Sequence, residues 1–187
     1  MISLPRRRIL AAATALPIAR LAFAQELPLT PPCGPQAPLT PRQTEGPYYT
    51  PHTPQRSSLV EPGSRAERLI LAGRVVSPAC QPVAKALLDF WHCDENGNYD
   101  NAGFRYRGHL FSDAEGRFRL ETIVPAIYPG RARHIHVKVQ APGRRILTTQ
   151  LYFPGDARDG LWRKDLEVAM ERQPQGRLAA FQFIVDA

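Results

Sequence analysis

Beyond residue 24, no stretch of this chain offers the ~20 consecutive apolar residues that a membrane-spanning helix requires, so no bilayer crossing by a helix is expected there. Sulfur is scarce as well, with three cysteines and two methionines in 187 residues. Three thiols form at most one intramolecular disulfide. Cys80 and Cys93 bracket an expected strand that would hold them ~25–30 Å apart at strand rise, far beyond disulfide reach. Any pair therefore includes Cys33, with its partner open. A basic surface is also lacking. The formal charge of +7 includes four arginines and no acid in residues 1–24; without them 20 basic side chains face 17 acidic ones, a net of +3. The remaining cations are scattered singly or in pairs, which argues against nucleic acid as a partner.

Residues 1–24 combine a basic head, a short apolar stretch broken by Pro17 and Arg20, and an Ala22-Phe23-Ala24 exit. This pattern predicts a cleaved export signal. Arg6-Arg7-Arg8-Ile9-Leu10 resembles a twin-arginine signal, although an ordinary secretion signal fits the same letters, so the export route stays open. The expected destination is the periplasm or exterior of a bacterium. Residues 25–65 are rich in Pro, Gln, Thr and Ser, which suits an extended arm laid on a core. From residue 66 to 187 short apolar alternations take over, with strands expected at 69–76, 86–92, 107–111, 117–120, 134–139, 147–153 and 181–185. Asp113-Ala114-Glu115-Gly116 is a turn signal, and the runs on either side of it are expected to pair as a hairpin. The one expected helix covers 161–172. Together these predict an all-β protein: an antiparallel β-sandwich with an extended N-terminal arm and one short C-terminal helix.

The chain has five histidines, and two of them stand two residues apart in Arg131-Ala132-Arg133-His134-Ile135-His136-Val137-Lys138-Val139. Residues i and i+2 of a strand share a face. His134 and His136 can therefore reach one ion while Ile135, Val137 and Val139 point into the sandwich. Solvated or hydrogen-bonded histidines would give the same letters. In the cupin pattern a Glu follows the second His by about four residues, where this chain has Gln140. A TIM barrel needs ~250 residues. A blue-copper centre needs a nearby Cys and Met, and Met170 lies in the expected helix. Tyr99 and Tyr128 supply a different pair of donors. A phenol of pKa ≈ 10 binds as phenolate only to a strongly polarising ion, and Fe(III) is hard and highly charged. Either tyrosine taken alone also reads as a core or turn aromatic.

Residues 88–99 (LDFWHCDENGNY), 122–131 (TIVPAIYPGR), His134-Ile135-His136 and 149–156 (TQLYFPGD), preceded by Thr44-Glu45-Gly46-Pro47-Tyr48-Tyr49, occur in the order found in the intradiol ring-cleavage dioxygenases. The chain resembles that family over about residues 40–185. The resemblance implies a ferric site with Tyr99, Tyr128, His134 and His136 as ligands, Tyr128 and His136 axial. It places Arg131 beside the substrate ring and Gln150 in the pocket lining. It also implies a catechol-type substrate and O2 as partners, deprotonation of the catechol with Tyr128 accepting one proton, Arg131 stabilising charge on the ring, and a cis,cis-muconate-type product.

Two departures bear on substrate and assembly. The catechol-cleaving members carry an N-terminal helical dimerisation domain, which these residues do not supply. Protocatechuate-cleaving members have a longer loop between the second Tyr and the histidines, where only five residues intervene here. A more open pocket is expected, and a homo-oligomer is left open. Of the remaining candidates, His92 reads as a hydrogen-bonded structural residue, and His109 carries no assignment. Tyr48 and Tyr49 fit either the pocket mouth or the packing of the arm, and Tyr106 and Tyr152 read as packing. The competing class is a non-catalytic exported β-sandwich acting as a carrier or adhesion module, with structural histidines.

Overall fold

The structure is a computed structural model that describes residues 27–29, 31–34, 37–156 and 159–187. The expected export signal at 1–24 lies outside the described residues. Eight strands build two four-stranded sheets: β1 (Arg68–Val76), β2 (Leu87–Trp91), β3 (Arg107–Phe111), β4 (Arg117–Ile123), β5 (His134–Gln140), β6 (Leu147–Tyr152), β7 (Ala169–Gln173) and β8 (Gly176–Ile184). One sheet has the order β3-β2-β5-β6 and the other β4-β1-β8-β7. One cluster of buried apolar side chains fills the space between them. Leu88, Phe90, Ile135, Val137, Val139 and Leu151 of the first sheet meet Leu69, Leu71, Phe118, Leu120, Phe181 and Phe183 of the second. Burying each such side chain contributes about 1.5–3 kcal/mol.

Three details differ from the sequence reading. The sandwich is not wholly antiparallel, because β1 and β8 pair in parallel from Leu69↔Arg177 to Val76↔Ile184. The turn at 113–116 forms, with Gly116 N–H donating to Asp113 O (3.0 Å) and the Asp113 carboxylate accepting from the Glu115 and Arg117 N–H groups. Its flanking strands, however, do not make a hairpin: β3 pairs with β2 and β4 with β1, so the turn carries the chain from one sheet to the other. A turn signal fixes a reversal of direction, whereas strand partners are chosen by non-local register. The helix expected at 161–172 is replaced by a single 3-10 turn at Lys164–Leu166, followed by strand β7. Leu166, Val168 and Met170 alternate at the strand period, and β7 completes the edge of the second sheet by pairing with β8 through the turn at Gln173↔Gly176.

The arm ahead of β1 is tied along its length. Cys33 and Cys80 form a disulfide (Cα–Cα 5.8 Å), leaving Cys93 buried and free. Thr40 N–H donates to Ile184 O and Gln43 N–H to Thr148 O, both at 2.9 Å. Because the disulfide closes 47 residues, a Cys80→Ser variant is expected to lose roughly 2–4 kcal/mol of unfolding free energy, read from urea denaturation. His92 is fully buried, with Nδ1 facing Cys93 O (2.7 Å) and Nε2 facing Thr122 Oγ1 (2.7 Å), the satisfied histidine anticipated. Burial pushes its pKa from 6.5 down to about 4. The unfolded chain takes up this proton first, so the contribution is complete above pH 6.5 and is lost as pH falls toward 4. The gap in urea midpoint between wild type and His92→Gln should narrow over that interval.

Candidate functional site

Strand alternation puts the second set of β2, β3, β5 and β6 side chains on the outer face of the first sheet. There Arg107, Trp91, His136 and Gln150 stand directly opposite one another across four strands, and His134 stands opposite Tyr152. The arm covers this face, which is why these polar residues are buried. Glu45 pairs with Lys138 (2.6 Å), whose ammonium lies 3.5 Å over the Tyr49 ring. Tyr49 and Thr53 hydroxyls donate to Asp89 at 3.0 and 2.7 Å. Gly46, with φ +70, lies over His136, since a Cβ there would stand 3.5 Å from His136 Cε1. A side chain at that left-handed position would be strained.

Three donor atoms converge beneath the arm. His134 Nε2 and His136 Nε2 lie 3.0 Å apart, and Tyr99 Oη is 3.5 Å from His134 Nε2. His134 Nδ1 meets Ala132 O at 2.6 Å. A carbonyl only accepts, so Nδ1 carries the proton and Nε2 presents its lone pair. His136 is 3% exposed and its Nδ1 has no partner among the described residues; its ring stacks on Trp91 at 4.8 Å and 8°. Burial lowers the His134 pKa to about 4, and burial followed by the charge of His134 puts His136 well below its usual range. Both rings are therefore neutral, the form that binds a metal.

Tyr128 enters through Tyr48. The two hydroxyls are 2.8 Å apart, and the Tyr48 ring stacks on Tyr99 at 4.4 Å and 16°. The Tyr99 and Tyr128 rings stand 5.9 Å apart at 75°. Burial raises the Tyr99 pKa, an effect that nearby Arg131 and Arg107 oppose. The hydrogen bond to Tyr128 raises that of Tyr48. Arg131 is held rather than solvated: Nε donates to Asp159 Oδ2 (2.7 Å) and Nη2 to Gln150 Oε1 (2.7 Å). Asp159 also accepts from the N–H groups of Ala132, Leu161 and Trp162, each at 2.8 Å. Gln150 Nε2 donates to Thr44 O (2.8 Å), and the Tyr152 hydroxyl reaches Gln150 Oε1 (3.0 Å).

Among the described residues no three His, Cys, Asp or Glu side chains are placed to hold a metal. Beyond the two imidazoles, the oxygen donor at hand is the Tyr99 hydroxyl, 3.5 Å from His134 Nε2. The donor set present fits a cation: His134 Nε2 turns its lone pair toward His136 Nε2, and two ring nitrogens this close share either a proton or a cation between them. At 3.0 Å apart, both nitrogens would be within reach of one ion.

The dioxygenase family model matches residues 44–180, a span that includes every residue of this cluster. The chain belongs to the intradiol ring-cleavage dioxygenase family. Catechol 1,2-dioxygenase 2 of Acinetobacter lwoffii is 32% identical to it over 143 residues, covering 63% of this chain and 52% of that protein. Hydroxyquinol 1,2-dioxygenase of Nocardioides simplex is 29% identical over 160 residues, covering 70% of this chain and 55% of that one. The chain thus spans about half the length of the curated relatives it matches. Among solved structures it is similar to the dioxygenase domain of a dioxygenase carbohydrate-binding protein fusion from Streptomyces sp. SirexAA-E. That match has TM-score 0.78 and 49% identity, over 80% of this chain and 99% of that one. It is also similar to 3-chlorocatechol 1,2-dioxygenase of Rhodococcus opacus 1CP, with TM-score 0.72 and 28% identity over 78% of this chain and 71% of that one.

The intradiol dioxygenase fold brings together all six residues singled out in the sequence: Tyr99, Tyr128, His134 and His136, with Arg131 and Gln150 beside them. Sequence reasoning left Tyr48 undecided between pocket and packing, and here it touches both tyrosines. The T-E-G-P-Y-Y run was the available signal. Trp91, Asp159 and Arg107 went unassigned; Trp91 lies inside the 88–99 motif without a role of its own, and nothing in the local sequence of Asp159 and Arg107 marks them.

Proposed function

We propose that this protein is a non-haem Fe(III) dioxygenase that opens catechol-type rings between the two hydroxyls with O2, giving cis,cis-muconate-type diacids. The observation that carries the reading is the convergence of His134 Nε2, His136 Nε2 and Tyr99 Oη next to the hydrogen-bonded Tyr48 and Tyr128 hydroxyls. Tyr99, Tyr128, His134 and His136 would hold the iron. When bound, ferric iron would supply Lewis acidity toward a catecholate and a route for electron density from the ring to O2.

The chain's own residues do the rest. Tyr128 Oη, as phenolate, accepts one catechol proton, and Tyr48 Oη at 2.8 Å receives the resulting hydroxyl in a hydrogen bond. Arg131, oriented by Asp159 and Gln150, places a fixed positive charge beside the ring as negative charge develops there. Trp91 and the arm segment 44–49 keep bulk water from the histidines. Export through residues 1–24 belongs to the same proposal, supported by the Cys33–Cys80 disulfide, a bond that persists in oxidising compartments.

Iron loading followed by spectroscopy and O2 uptake tests the reading. A red-brown protein that consumes O2 with catechol, 4-methylcatechol, protocatechuate or hydroxyquinol and releases muconate-type products is expected. A colourless protein after loading would falsify it, and yellow semialdehyde products would move cleavage outside the diol.

A further inference from the structure

We propose that Arg107 is the positioning residue that sets the separation of Tyr48 and Tyr99 above the two histidines, a role that rests on the iron reading of this site. Arg107 belongs to β3, opposite Trp91, which in turn stands opposite His136. It is 0% exposed. A charged side chain is almost never fully buried unless paired, yet among the described residues no carboxylate lies within ion-pair distance of this guanidinium. Its donors go instead to two backbone carbonyls: Nε to Asp100 O at 2.9 Å and Nη1 to Tyr48 O at 2.5 Å. Asp100 directly follows Tyr99, so both carbonyls belong to the segments whose rings stack at 4.4 Å and 16°.

Neither segment is a strand, and no sheet ladder fixes the distance between them. The planar guanidinium does so, because Nε and Nη1, on different edges of one rigid plane, hold the two acceptors at a set spacing. Arg107 is braced in turn from the arm, where Arg56 Nε donates to Arg107 O at 2.9 Å. Its third nitrogen, Nη2, has no partner among the described residues, and the same holds for Trp91 Nε1 and His136 Nδ1, the next two members of the row. A buried cation with an unused donor is costly to stability. Retaining that cost next to the site is what a positioning role, rather than a stabilising one, requires.

Arg107→Lys in the iron-loaded full chain decides the matter. Lysine keeps the charge but cannot hold both carbonyls in one plane. The variant should bind iron, shift the tyrosinate-to-iron absorption band and raise the KM for catechol about tenfold, the loss of one charge-assisted hydrogen bond. Arg107→Met should show a larger shift in the same direction. A wild-type band and KM in Arg107→Lys overturn the proposal, whatever happens to its melting temperature. If wild-type protein itself takes up no iron, the reading of the site fails first. The near-ultraviolet circular dichroism of the metal-free protein then still reports the Tyr48–Tyr99 stack, and an unchanged spectrum in Arg107→Lys overturns the inference by itself.

Discussion

His136→Ala should emerge from iron loading colourless and cleave catechol more than about a thousandfold slower than wild type. Substituting a residue that merely orients a ligand costs about 10–100-fold in affinity or activity, and removing the ligand costs more. The geometry makes this position harder to replace than a typical ligand. His136 Nε2 lies 3.0 Å from His134 Nε2, its ring is flat against Trp91, and Gly46 closes over its edge. No other imidazole among the described residues is placed to substitute, because His92 is committed at both nitrogens, His109 faces Thr53 O at 2.8 Å under the arm and His52 is exposed on the arm. Iron content by elemental analysis and initial rates of O2 uptake check the expectation, with His109→Ala as the control that keeps both. A coloured, active His136→Ala protein would remove this residue from the ligand set.

The second large effect belongs to Tyr128→Phe. The substitution keeps the ring and its edge-on packing to Tyr48 and Tyr99 and removes only the hydroxyl bonded to Tyr48. If that oxygen takes a catechol proton, kcat should fall by about 10²–10⁴, the usual contribution of a positioned base. Iron should be retained at reduced affinity through Tyr99, His134 and His136. Rates compared at matched iron content separate lost chemistry from lost metal. A variant within about twofold of wild type, against that range, would mean that substrate loses its proton elsewhere. Tyr48→Phe offers a graded comparison, since it leaves the Tyr128 oxygen but removes its 2.8 Å partner; its effect should be smaller.

What the sequence disclosed about this site follows from the range of the forces involved. The histidine pair was legible because alternation along one strand is local, and so was the assignment of Ile135, Val137 and Val139 to the core. Tyr99 and Tyr128 were legible only as members of an ordered set of motifs, since nothing in either turn alone distinguishes a donor from a packed aromatic. The arm was legible as an extended segment, but not as the cover of the site. Its attachments, Glu45 to Lys138, Tyr49 and Thr53 to Asp89, and Thr44 to Gln150, join residues between 36 and 106 positions apart. The parallel pairing of β1 with β8 and the separation of β3 from β4 were hidden for the same reason. The segment 161–172 failed differently, because its letters satisfy two periods at once and an open sheet edge settled which one prevailed.

Strand β5 leaves no room for a change of length. Ile135, Val137 and Val139 serve the core while His134, His136 and Lys138 serve the site and the arm, so the strand is read on both sides by different neighbours. Loss or gain of one residue within it would turn the side chains on one side of the change to the opposite face, setting imidazoles into hydrocarbon or valines beneath the arm. Folding and chemistry would fail together in such a variant. Any insertion or deletion compatible with function is therefore confined to the connections on either side of these seven positions.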